Sequence, residues 1–219
     1  MSFYENMITN KRQDVNLETA LIERALTRIG HLLALGFGEA GSQIIAHNMT
    51  SAGDLDPMMQ GQRIDAIFGF CDIREFADST EVLQTRIMTF VNKIADIVHS
   101  QVNKYGGSVN KNMGEAFLLV WKIKPRRKAG SLHQVSDKKT ADMALLSFIK
   151  ILAKINRSSS ILRYREELKS IREDYRVAMG FGLHQGWAIE GAIGSYFKID
   201  ASYLSPNVNI AARLEAATR

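Results

Sequence analysis

Residues 116–121 read Ala-Phe-Leu-Leu-Val-Trp, an unbroken apolar run. A strand of this kind has no solvent face, so it belongs inside a sheet covered on both sides. A second run, Ile64 to Cys71 (IDAIFGFC), reads as another buried strand. Between them, residues 81–105 form an amphipathic helix with Leu83, Ile87, Phe90, Val91, Ile94, Ile97, Val98 and Val102 on its stripe. Thr80 is the expected N-cap, and Gly106-Gly107 stops the helix. A short strand begins at 108–110. After the apolar run come a helix over 140–155 and a charged helix over 161–174. Strands at 176–184 and 187–193 are joined by Gln185-Gly186, a hairpin signal. A last helix opens at Ser205-Pro206, with Ser as cap and Pro at the first helical position.

The order from Ile64 is therefore β-α-β-β-α-β, followed by further elements. That is the ferredoxin-like unit of an α+β fold, with extra strands and helices. Upstream, Leu17 to Leu35 has helical spacing and ends near Gly36, and residues 48–62 are polar, with Pro57, as in a loop. The expected division is a helical segment and linker over 1–59 and a folded domain over 60–219.

Composition narrows the chemistry. With 219 residues, 46% apolar and 23% charged, the chain is globular rather than fibrous or disordered. Its one cysteine, Cys71, excludes an internal disulfide framework and sits in an apolar strand, where burial is the expected role. No apolar run is long enough to span a membrane, and the N-terminus lacks a signal-peptide pattern. A net charge of +5 suits an anionic partner. Lys122, Lys124, Arg126, Arg127, Lys128, Lys138 and Lys139 cluster, but no aromatics interleave with them. They read as a solvated loop rather than a nucleic-acid groove.

In the ferredoxin-like arrangement the first and third strands are antiparallel neighbours. Asp72 ends the first and Glu115 opens the third, so two carboxylates 43 positions apart in sequence should meet. They are either a Mg²⁺ or Mn²⁺ site or two solvated strand ends. Asn209 and Arg213, four apart, share a helix face. They are either a phosphate-and-sugar pair or an ordinary exposed surface. Lys111 lies in a tight turn beside Glu115 and by default is a surface lysine. Asp200 and Ser202 are individually uninformative. Gly36-Phe-Gly-Glu-Ala-Gly41 fits G-x-G-x-x-G, but a helix precedes it, not a strand. It reads as a helix break and re-entry.

Four stretches together resemble the catalytic domain of class III nucleotidyl cyclases. They are IFGFCDIREF (67–76), GGSVNKNMGEAFLLVW (106–121), GFGLHQGWAIEGAIGS (180–195) and YLSPNVNIAARLEAAT (203–218). The resemblance covers residues 60–219 and is most similar to cyclase domains of large protist proteins. It implies conversion of ATP to cyclic AMP and pyrophosphate through two divalent cations, Mg²⁺ or Mn²⁺, per site. Asp72 matches the first metal carboxylate, Glu115 takes the place of the second, and the Ile73 carbonyl is a further ligand. Asn209 matches the ribose-orienting residue and Arg213 the one that steadies the transferring phosphate. Lys111 falls on the base-selecting position and Ser202 on its partner. Lysine resembles adenylyl cyclases, so ATP is favoured over GTP. Phe76 and Ala77 sit beside the phosphates.

The resemblance also implies a site shared between two subunits, in a homodimer or with another cyclase domain, and no nucleic-acid partner. It implies a cytoplasmic setting, alone or as the cytoplasmic part of a larger membrane protein. Four departures stand out. Glu115 replaces Asp, Ala77 stands where Thr is common, and Ser205-Pro206 replaces Gly-Asp. The chain also ends at Arg219 without the family's last strands and their phosphate-binding lysine. These motivate two alternatives to an adenylyl cyclase: a cyclase-like pseudoenzyme acting as dimer partner or scaffold, and a guanylyl cyclase. A ferredoxin-like RNA-binding module, suggested by MGEAFLLV (113–120), leaves Asp72, Glu115, Asn209 and Arg213 unexplained. The helix at 17–35 is either a dimerising element or one that packs on the domain.

Overall fold

The computed structural model describes residues 3–50, 56, 58, 60–123, 133–195 and 197–218. Two compact units are present, Met1–Phe37 and Gly38–Arg219. The first consists of most of helix α1 (Phe3–Thr50). Its Leu21, Ile22, Leu26, Ile29 and Leu32 are all more than half exposed. The helix does not stop near Gly36. It breaks at Gly38, whose φ of 66° and ψ of −164° are non-helical, and then resumes. Ser42 Oγ donates to the Gly38 carbonyl at 2.8 Å in the resumed turn. The glycine-rich stretch is thus a helix break, as its context suggested.

In the second unit five strands form one antiparallel sheet in the order β2-β3-β1-β4-β5. They are β1 (Gln62–Ile73), β2 (Ser108–Met113), β3 (Ala116–Ile123), β4 (Met179–Ser195) and β5 (Lys198–Leu204). The first four follow the ferredoxin-like order, and β5 extends the sheet beyond β4. The α+β expectation therefore holds.

Burial on both faces, with side chains alternating between them, explains the apolar middles of β1 and β3. Ile67, Cys71, Phe117, Leu119 and Trp121 face one core with helices α3 (Ile87–Lys104) and α4 (His133–Ile155). Ala66, Phe68, Leu118 and Val120 face a second core with α6 (Pro206–Ala216) and residues 40 and 44 of α1. Each such large side chain contributes about 1.5–3 kcal/mol when buried. Trp121 is 1% exposed, and its indole N–H donates to the Tyr105 carbonyl at 3.2 Å.

Several local expectations are corrected. Gln185-Gly186 is not a hairpin turn, because β4 runs unbroken and pairs those residues with Ile67 and Ala66. Gly186 is needed for room: a Cβ there would lie 2.3–2.6 Å from the Asn207 side chain. The hairpin lies later, between β4 and β5, and β5 itself was not anticipated. The first helix starts at Phe76, not after Thr80, as α2 (Phe76–Leu83). Gln84, with φ 50° and ψ −125°, ends it and opens a 3-10 turn (Gln84–Arg86) that leads into α3. Residues 159–170 form a short helix α5 (Ser159–Leu162) and two 3-10 turns instead of one charged helix. Lys124, Arg126, Arg127 and Lys128 lie outside the described residues. Lys122, grouped with them by sequence, is a half-buried strand residue. It pairs with Glu190 at 2.7 Å and Glu39 at 3.3 Å. Glu190 also accepts from the Tyr203 hydroxyl at 2.8 Å. Burial, then the neighbouring Glu190 carboxylate, pushes the Tyr203 phenol well above its usual range.

Candidate active site

The register of β1 decides where its terminal carboxylate goes. Asp72 is opposite Ala116 on β3 and Gly180 on β4. It is held between two neighbours and is only 6% exposed. Gly114 and Glu115 form the two-residue loop joining β2 to β3, with Met113 paired to Ala116. Gly114 has φ 66°, the left-handed value that a type II′ hairpin requires at its first loop position. This turn sets Glu115 beside the end of β1, where the Ile73 amide donates to the Glu115 carbonyl at 3.1 Å. Asp72, Ile73 and Glu115 are therefore brought together, and Glu115 is half-buried. Cys71, immediately before Asp72, is fully buried; burial, then Asp72 and Glu215, pushes its thiol far up. It is a packing residue, not a nucleophile.

The chain turns sharply after Ile73. Glu75 adopts a left-handed conformation (φ 53°, ψ 35°) as the residue preceding α2. No side chain caps α2, so its first amides, at Phe76 and Ala77, have no side-chain acceptor at the helix start. Phe76 packs on the first core, and Ala77 is exposed.

Arg74 fixes this loop from below. Its guanidinium pairs with Glu215 of α6 at 2.7 Å, with both side chains largely buried. It also donates to the Thr218 hydroxyl at 2.6 Å. A Cβ at Gly180 would lie 1.8 Å from Arg74 Nη2, and one at Gly182 would lie 2.4 Å from the Ala211 carbonyl of α6. The two glycines are what allow Arg74 and α6 to approach β4. Sequence reasoning missed this ion pair. No local pattern links positions 141 apart.

Helix α6 begins as expected, with Ser205 Oγ accepting from the Asn207 amide at 3.0 Å and Pro206 in the first turn. Val208 and Ala211 are buried beneath it. Asn209 and Arg213 are exposed on its outer side.

Lys111 is not in a turn: it lies within β2, paired with Leu118, where the sheet curls until its two edge strands approach. Asn110 Nδ2 donates to the Ala201 carbonyl of β5 at 3.2 Å. Lys111 Nζ is 3.7 Å from Asp200 Oδ2, which is itself 3.9 Å from Lys198. Ser202, half-buried, is two positions further along β5, on the same strand face as Asp200. Lys111 and Ser202 are thus brought to one corner. Asp200 is the residue the sequence left unassigned; its i, i+2 relation to Ser202 was the available signal. Among the described residues no group of three or more His, Cys, Asp or Glu could hold a metal. None of their helices is long and apolar enough to cross a membrane.

Comparison with known proteins bears on the family and the fold. The model of the adenylate and guanylate cyclase catalytic domain matches residues 59–219. The model of the RasGEFs all-helical domain matches residues 3–50. An adenylate cyclase of Anabaena cylindrica is 25% identical over 154 residues, covering 68% of this chain and 26% of that protein. A bacterial light-regulated adenylyl cyclase superposes with a TM-score of 0.59 at 23% identity, covering 99% of this chain and 53% of the other. The adenylyl cyclase CyaB from P. aeruginosa gives 0.56 at 22% identity, over 73% of this chain and 74% of that one. The chain thus spans about a quarter of the Anabaena protein and about half of the light-regulated one.

Proposed function

The chain belongs to the adenylate and guanylate cyclase catalytic domain family, and from that premise we propose that it converts ATP to cyclic AMP and pyrophosphate. The catalytic domain in this reading is residues 60–219, preceded by a helical segment and linker over 1–59, of which residues 40 and 44 pack into the domain's second core. The observation that carries the reading is the meeting of Asp72 and Glu115 across the β1–β3 register. Asp72 is nearly buried and Glu115 half-buried at adjoining strand ends, and two carboxylates so placed fit a hard cation with oxygen ligands. Asp72, Glu115 and the Ile73 carbonyl would hold two Mg²⁺ or Mn²⁺ ions, which activate the ribose 3′-hydroxyl and neutralise the phosphates when bound. Two carboxylates leave most of the coordination shell to triphosphate oxygens and water.

The remaining roles belong to the protein's other groups. The uncapped amides at the start of α2, at Phe76 and Ala77, donate to phosphate oxygens. Asn209 orients the ribose so that its 3′-oxygen faces the α-phosphorus. The new bond forms there as the bridge to the β-phosphate breaks and pyrophosphate leaves. Arg213 offers forked N–H donors to the charge that develops on the transferring phosphate. Lys111 and Ser202 meet the base. Asp72 is buried in the sheet while Asn209 and Arg213 face outward, which suits a site completed by a second chain, in a homodimer or with another cyclase domain. A cytoplasmic setting, alone or as the cytoplasmic part of a larger membrane protein, belongs to the same reading.

The test is turnover of ATP and of GTP, with Mg²⁺ and separately Mn²⁺, beside Asp72→Ala. Cyclic AMP is expected, reduced about 10²–10³-fold or more by the substitution. Cyclic GMP instead would move the reading to a guanylyl cyclase. No product from either nucleotide, in this chain and in one extended past Arg219, would make it a non-catalytic partner domain. Product with Mn²⁺ alone would locate the effect of the longer Glu115 arm, since Mg²⁺ demands near-ideal octahedral geometry.

A further inference from the structure

On the face of the sheet covered by α3 and α4, the two helices enclose a groove of about 520 Å³. Four cationic side chains line it: Lys104 from α3, Lys150 and Lys154 from α4, and Arg157 just beyond α4. No acidic side chain lines it. Elsewhere the described basic residues commonly find partners, as Lys111, Lys122, Arg74, Arg86, Arg165, Lys169 and Arg172 do. None of the four forms an ion pair with a described residue. Gln101, 2% exposed, lies at the groove, and its amide N–H donates only to the Ser100 hydroxyl. Like charges gathered in a concavity repel one another, and an anion placed among them removes that repulsion. Nothing in the proposed reaction uses these residues.

Spacing makes the feature periodic. Lys150, Lys154 and Arg157 follow i, i+4, i+7 and so share one side of the α4 path. On the same helix Leu145, Ile149 and Leu152 repeat the same spacing and are 56%, 54% and 38% exposed. A helix offering exposed aliphatics beside a row of Lys and Arg has the two surface chemistries that meet at a lipid interface.

We propose that the α3–α4 groove is a recognition site for a multiply charged phosphate group, with Lys104, Lys150, Lys154 and Arg157 as its donors. Lysine serves such a ligand as a point charge and arginine as a fork, and the mixture suits several phosphates better than one carboxylate. The phosphates come either from a lipid headgroup, with Leu145, Ile149 and Leu152 entering the interface beside it, or from a free polyphosphate. The proposal is independent of cyclase activity.

The test uses the full chain with two probes. Co-sedimentation is measured with phosphatidylcholine vesicles, with and without phosphatidylinositol bisphosphate. Titration calorimetry is measured with soluble inositol hexakisphosphate. Binding to the bisphosphate vesicles, absent from phosphatidylcholine alone, is expected, with competition by the soluble probe. The double variant Lys150→Glu/Lys154→Glu should bind at least about tenfold more weakly, since each basic residue near an anionic surface matters at this level. Arg163→Glu/Lys169→Glu carries the same net charge change away from the groove and should bind as the parent does. Replacing Ile149 and Leu152 by Ser should weaken vesicle binding but leave the soluble probe unaffected. Binding of the soluble probe alone would assign the site to a free polyphosphate. Equal losses in both charge-reversal variants would reduce the effect to net charge and overturn the site, as would no binding of either probe.

Discussion

The β1 end and helix α6 hold their candidate residues in opposite ways. Asp72 is 6% exposed, flanked by β3 and β4, and its direction follows from strand register. Asn209 and Arg213 stand on the outside of a helix whose inner side, Val208 and Ala211, is locked into the second core. The first set is positioned by its own surroundings. The second is presented outward on a rigid support. A chemistry needing both is complete only where an exposed pair from one molecule meets a buried carboxylate from another, or where α6 reaches over its own sheet.

The largest expected effect separates those two geometries. Asp72→Ala and Arg213→Ala should each be inactive alone. If the halves come from different chains, mixing the two variants regenerates one intact site in each mixed dimer. Random reassociation of a symmetric dimer then returns about a quarter of the parent activity. No recovery, with mixed dimers demonstrated by tagged co-purification, would place both halves of a site in one chain.

A second substitution disturbs the α6 half while leaving Asp72 and Glu115 in place. A Cβ at Gly182 would lie 2.4 Å from both the Ala211 carbonyl and the Glu215 amide. Both are helix backbone and cannot swing aside. Gly182→Ala should cost about 1–3 kcal/mol of stability, read by thermal or urea unfolding. It should lower activity by more than the unfolded fraction explains. An unchanged melting temperature would show that α6 can ride outward freely, contrary to its rigid seat.

The same contrast explains what the sequence could reveal. Runs such as AFLLVW fixed the central strands because burial on both faces leaves a one-dimensional record. With β1 and β3 assigned as antiparallel neighbours, the meeting of Asp72 and Glu115 follows from geometry alone. The long-range contacts left no such record. Arg74 and Glu215 are ordinary charged residues until the fold brings them together at 2.7 Å. Lys111 and Asp200 meet only because the sheet curls far enough for β2 to approach β5. Gly186 misled for a related reason. Glycine marks turns, but it also marks places where a neighbour needs the space of a Cβ, here the Asn207 side chain. Local pattern does not separate the two uses.

The smallest expected effect lies at the β2 corner that carries Lys111. His99 of α3 has its ring edge-on to Phe117, with centroids 5.7 Å apart, and Nε2 lies 3.1 Å from Asn112 Oδ1. Burial lowers its pKa below the ordinary 6.5, against a smaller opposing pull from the Asn112 hydrogen bond and from Asp96. The folded protein therefore holds His99 neutral at a pH where the unfolded chain already takes up a proton. The stability from that preference is present above about pH 6.5 and is lost as pH falls through the lower folded value. The melting temperature should decline more steeply below pH 6.5 in the parent than in His99→Gln, which keeps a polar side chain near Asn112 but does not titrate. Equal slopes would remove His99 from the account. A steeper slope accompanied by a loss of base preference at low pH would tie its neutral form to the position of Asn112, and through it to Lys111.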